Sequence, residues 1–138
     1  MVALVGVASL GGCSTSPVKA TLALFQTPHD VMADWDNTDP AVEVALSQVH
    51  MALDHKERGP GEDDLERRYY LVTETDEPAL LIIRREEAVV DGAQKLTFEA
   101  RVGRFGDEVR EARLIRAVRH RLKSLVGVDH APVTLPPS

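Results

Sequence analysis

Between Lys95 and Arg104 the chain alternates cleanly, with Leu96, Phe98, Ala100 and Val102 on one side and Lys95, Thr97, Glu99 and Arg101 on the other. A period of two predicts a half-buried antiparallel strand. Upstream, Leu80-Leu81-Ile82-Ile83 is a continuous apolar run closed by Arg84-Arg85-Glu86-Glu87, which suits a central strand. Arg68 to Thr75 has the composition of another, with Tyr69, Tyr70, Val72 and Thr73. Asp76-Glu77-Pro78 and Asp91-Gly92 are turn sequences, so the three strands read as a meander.

The pattern changes to a helical period on either side. Val42, Ala45, Leu46, Val49, Ala52 and Leu53 fall on one helix face. Asp39 suits the cap, Pro40 the first helical position, and Glu43 can reach back as a capping box. A helix is therefore expected from Asp39 to about His55, stopped before Gly59-Pro60-Gly61. The acidic stretch Glu62, Asp63, Asp64 and Glu66 lacks the alternating ligands and central glycine of a calcium loop and reads as a solvated loop. The second helix carries Val109, Ala112, Ile115, Val118, Leu122 and Leu125 as its apolar stripe. Gly106 ends the preceding strand, Asp107 caps the helix, and Gly127 follows it. Acids at its start and bases near its end suit the helix dipole. The economical packing is α+β: a small antiparallel sheet of three strands with two amphipathic helices on one face. A fourth, edge strand is expected if Val18–Phe25, where Leu22 and Leu24 alternate with Thr21 and Ala23, joins the sheet.

At the N-terminus Met1 to Gly12 is apolar and uncharged, and it ends on Ser9-Leu10-Gly11-Gly12-Cys13. Apolar residues followed by small ones are the grammar of an export signal and its cleavage site. The run is too short to span a bilayer by itself, since spanning takes about 20 residues. It also lacks the basic start of such a signal, so the leader is expected to be truncated at its start. The chain divides into a signal at 1–12, a lipidated Cys and tether at 13–38, one α+β domain at 39–130 and an irregular tail at 131–138. If Ser14–Thr38 were fully extended it would span about 80 Å, at ~3.3 Å per residue. Removing signal and tether leaves about 90–100 residues, enough for one modest core.

Leu10-Gly11-Gly12-Cys13 resembles the lipobox of bacterial lipoproteins. The resemblance implies cleavage before Cys13, diacylglycerol on its thiol and acylation of the new N-terminus, which holds the protein to a lipid bilayer. Ser14 after the cysteine is compatible, by the same resemblance, with sorting to the outer membrane and a domain facing the periplasm. Phe98-Glu99-Ala100-Arg101-Val102-Gly103-Arg104-Phe105-Gly106-Asp107-Glu108, followed by a basic amphipathic helix, looks like the end of a group of small bacterial envelope lipoproteins of unassigned function. That group carries no assigned catalytic residues. A looser likeness of architecture is to the lipopolysaccharide-assembly lipoprotein, and architecture alone does not fix function.

Composition narrows the chemistry. The chain has 138 residues, a formal net charge of −6 and 1 cysteine. The single cysteine excludes an internal disulfide and a multi-cysteine metal site, and the net charge argues against nucleic acid as partner. On the expected first helix His50 and His55 lie about 140° apart, off one face, so no metal or other cofactor is expected. Ser47 and Ser124 lack a nucleophile elbow, and Asp63 and Asp64 sit in a loop, so a non-enzymatic binding or structural module is expected. Charge is unevenly placed. Asp30 to Glu66 is acidic, opposed only by Lys56 and Arg58, whereas Arg101 to Lys123 is basic. Arg110, Arg113, Arg116 and Lys123 lie away from, or flank, the apolar stripe of the second helix. Either they form a solvated face partly paired with the acidic segment, or they contact an anionic envelope component or an envelope protein. Trp35, the only tryptophan, is either a plug covering the domain or a partner contact. The function expected is a membrane-anchored envelope lipoprotein. The alternative is an accessory subunit of a lipopolysaccharide or outer-membrane assembly machine.

Overall fold

A computed structural model describes residues 29–126. Cys13 and Val18–Phe25 lie outside the described residues. Strand β1 (Asp30–Ala33) leads through a 3-10 turn at Trp35–Asn37 into helix α1 (Thr38–Gln48). Strands β2 (Met51–Arg58), β3 (Glu66–Thr73), β4 (Pro78–Val90) and β5 (Ala93–Val102) follow, and helix α2 (Glu108–Leu125) closes the fold. The fold is α+β, with all neighbouring strands antiparallel in the order β1-β5-β4-β3-β2.

The sheet therefore has five strands where three or four were expected. The meander β3-β4-β5 stands where the alternation placed it. Asp91 and Gly92 turn β4 into β5 with φ of 51° and 76°; two positive values in a two-residue loop match the twist of a hairpin. The two additional strands are the edges. β2 occupies residues assigned by periodicity to the end of the first helix. That helix stops at Gln48, and His50 takes a φ of 56°, which breaks the helical path. Met51 to Arg58 then pairs with β3, Met51 opposite Thr73 and Arg58 opposite Arg67. Backbone pairing with β3 overrides a local composition with little strand preference. His50 and His55 accordingly share no helix. β1 lies in residues assigned to the tether, and Val31 opposes Leu96 of β5. The domain thus includes Asp30 to Thr38.

One face of the sheet carries the core. Tyr69, Leu71, Leu81, Ile83, Leu96, Phe98 and Val102 point to it and are buried, as alternation requires. α1 contributes Ala41, Val42, Ala45 and Leu46; α2 contributes Leu114, Ile115, Val118 and Leu122. Val109, expected in that stripe, is 67% exposed, and Leu114 takes its share of the core. Both helices lie on this face and pack against one another. Capping also departs from expectation at α1. The Asp39 carboxylate leaves the helix end and bonds Lys56 and Tyr69, while Thr38 donates to the Trp35 carbonyl at 2.6 Å. At α2 Asp107 caps as expected, accepting from the Arg110 amide at 3.1 Å.

Candidate interaction surface

α2 is amphipathic in an unusual sense. At 100° per residue, Arg113, Arg116, His120 and Lys123 fall within about 40° of the direction of Val109, and all of these side chains are exposed. The buried Leu114, Ile115, Val118 and Leu122 lie opposite. The outer stripe therefore points straight away from the core. From Arg113 to Lys123 it has no acid among its neighbours on the helix. No ion pair joins Arg113, Arg116, Arg121 or Lys123 to another described residue. Arg113 and Arg116 sit mid-helix, where the dipole offers a cation little.

The loop before α2 is braced. Glu111 Oε1 accepts from the Val102 amide at 3.0 Å and the Asp107 amide at 2.9 Å, closing the chain reversal. Gly103 and Gly106 both take positive φ, 75° and 81°, which L side chains avoid. Between them Phe105 is 92% exposed. Beside the other end of α2 lies a shallow groove lined by Asp30, Val31, Met32, Lys95, Arg119 and Lys123.

The expected contact residues divide. Arg113, Arg116 and Lys123 share the outer stripe. Arg110 turns aside and its Nη1 donates to Glu77 Oε2 at 2.7 Å; that contact, helped by Thr75, holds the Glu77 carboxyl below its usual range. Trp35 is 4% exposed. Two guanidinium groups lie over its ring, Arg67 at 4.2 Å and Arg85 at 5.1 Å from the centroid. Its Nε1 donates to Asp64 Oδ2 at 3.0 Å. Phe105 was not among the expected residues; the signal for it was an aromatic flanked by Arg104 and two turn glycines, with no apolar partner nearby in sequence.

The acidic segment finds its partners on strands, not on α2. Asp39 accepts from Lys56 Nζ at 2.8 Å and Tyr69 Oη at 2.6 Å, and lies 3.5 Å from Arg67. Asp64 bonds Arg67, and Glu66 bonds Arg68 and Arg84. Burial works against ionisation at all three carboxyls, yet these hydrogen bonds and cations win and hold each below its usual range. Tyr69 is pushed the other way, first by burial and then by the Asp39 carboxylate it serves. Arg85 bonds the Asp63 and Asp64 carbonyls at 3.2 and 2.9 Å. Of the stretch expected to be a solvated loop, Glu62 and Asp63 are exposed, whereas Asp64 and Glu66 are tied to the domain around Trp35 and Arg84.

No family model, curated protein or solved structure matches the chain. Among the described residues no helix is long and apolar enough to cross a membrane, and no group of three His, Cys, Asp or Glu is placed to hold a metal ion. The surface that remains distinctive is the outer stripe of α2 with Phe105 at its head.

Proposed function

We propose that this protein is a lipid-anchored module of the bacterial cell envelope that acts by binding or by structure rather than by catalysis. The observation that carries the reading is Leu10-Gly11-Gly12-Cys13 at the end of an apolar run. Cys13 is the attachment point, and the domain faces the periplasm from the membrane that Ser14 directs it to, the outer one. Two features of the fold support binding over chemistry. The titratable groups at Asp39, Tyr69, Asp64 and Arg67 are directed at one another across helix, strand and loop. The cations of α2 are directed outward.

The test is made in a bacterium with two membranes, comparing the native chain with Cys13→Ser. The native chain is expected to incorporate labelled palmitate, fractionate with membranes, and give an intact mass that begins at an acylated Cys13. Cys13→Ser is expected to stay unlabelled with its leader attached. A native protein with an unmodified Cys13 in the soluble fraction overturns the proposal. Docking to an envelope assembly machine through α2 is read in the same strains by recovery of a stoichiometric partner from solubilised membranes.

A further inference from the structure

We infer that the outer face of α2 lies against an anionic phospholipid bilayer, with Phe105 entering the headgroup layer. The inference deepens the lipid-anchor reading and rests on it only for bringing the domain to a membrane. Charge complementarity selects the occupant. In a chain of net charge −6, the described carboxylates that form ion pairs do so with cations other than Arg113, Arg116 and Lys123. Outside the described residues the one acidic side chain is Asp129. Three unpaired cations on a stripe about 80° wide, opposite the core, are costly by self-repulsion and are neutralised by a surface of negative charge.

The apolar part points the same way. Val109, at the head of the stripe, is 67% exposed, and Phe105, in the turn that leads into α2, is 92% exposed. The glycine-flanked turn and the Glu111 brace hold Phe105 out rather than letting it fold back. An apolar ring beside cations suits the headgroup boundary, where apolar side chains and Lys or Arg are accepted together. A flat, continuous counter-surface also fits an exposed stripe that runs from Val109 to Lys123 along a helix of 18 residues. Reach is sufficient: residues 14–28, at about 3.3 Å each, span up to about 50 Å.

The experiment uses the full chain carrying Cys13→Ser, so that no acyl group contributes, in co-sedimentation with vesicles. Binding is expected to phosphatidylglycerol/phosphatidylcholine vesicles, to weaken with salt, and to be absent from pure phosphatidylcholine. Neutralising Arg113→Gln and Arg116→Gln together should weaken it about 25-fold, at about fivefold per cation. Phe105→Ser should weaken it about tenfold. Arg58→Gln, on the opposite edge of the sheet, should leave it unchanged. All three variants change exposed side chains, and circular dichroism verifies their fold. Equal binding to neutral and anionic vesicles, equal loss in Arg58→Gln, or unchanged binding in the double Arg variant or in Phe105→Ser overturns the inference. The mass of the native N-terminus tests the anchor separately, so the two failures are told apart.

Discussion

Trp35→Ala is the substitution that tests most of the fold at once. The indole is almost wholly buried, it joins β1 to α1, and it meets the guanidinium groups of Arg67 of β3 and Arg85 of β4. Truncating a buried tryptophan costs about 3–5 kcal/mol. The two cation–π contacts add about 1 kcal/mol together, and the bond to the Asp64 carboxylate about 1.5 kcal/mol or more. These terms overlap, so a loss of about 4–6 kcal/mol is expected. A domain of this size holds about 5–15 kcal/mol in all. Trp35→Phe keeps an aromatic face for the guanidinium groups and loses the N–H donor, for about 1–2 kcal/mol. Because Trp35 is the only tryptophan, urea unfolding is followed by far-ultraviolet circular dichroism. With a slope near ~1.5 kcal/mol per molar urea, the Ala variant should unfold about 3 M earlier. An Ala variant within about 1 kcal/mol of the parent, or a Phe variant as damaged as Ala, would refute the account of Trp35 as the joint between loop, strand and helix.

Other expectations follow from the same geometry. Asp39, Asp64 and Glu66 are held below their usual range, so the unfolded chain binds protons before the folded one as pH falls. Their stabilisation is complete above the unfolded values and should be lost progressively between about pH 5 and pH 2, read as a falling Tm, with a shallower fall in Asp64→Asn. Tyr69→Phe removes the donor to Asp39 and should cost about 1.5–3 kcal/mol in urea unfolding; a neutral result would show that Lys56 and Arg67 suffice. Gly59→Ala would set a Cβ against the Glu66 side chain root, beside the Gly59 amide bond to the Glu66 carbonyl. A loss of about 1–3 kcal/mol is expected, and an unchanged Tm would mean that the β2–β3 loop shifts freely. Glu111→Ala leaves the Val102 and Asp107 amides without their acceptor, and proteolysis at Arg104 should quicken.

Elements with a one-sided pattern were legible from residues alone. Leu96, Phe98 and Val102 alternate because β5 has one face on the core, and Asp91-Gly92 turns because the hairpin needs two positive φ values. β2 was not legible. It is exposed along nearly its whole length, so no burial pattern marks it, and Met-Ala-Leu continues the period of α1 by coincidence. β1 is short and set among acids, and its pairing with β5 is visible only in three dimensions. The cations of α2 were legible as charge on a helix, and three of the four share the outer stripe. Arg110 was not separable from them, since its partner Glu77 lies across a turn. The exposure of Phe105 and Val109 is not legible, because a periodicity argument assumes that apolar residues seek the interior.

The exposed composition of β2 has a further effect. Asp54, His55, Lys56, Glu57 and Arg58 line the outer rim of the sheet, where backbone groups would otherwise invite another chain to anneal. Alternating charge there, with a register shift between Leu53 and His55, spoils the flat template that aggregation needs. The opposite rim offers only the four residues of β1. Copies held at high local concentration, as the proposed anchor would hold them, would thus crowd without zipping sheet to sheet. Replacing Lys56 and Glu57 by Val would be expected to turn the rim into a site of fibril growth.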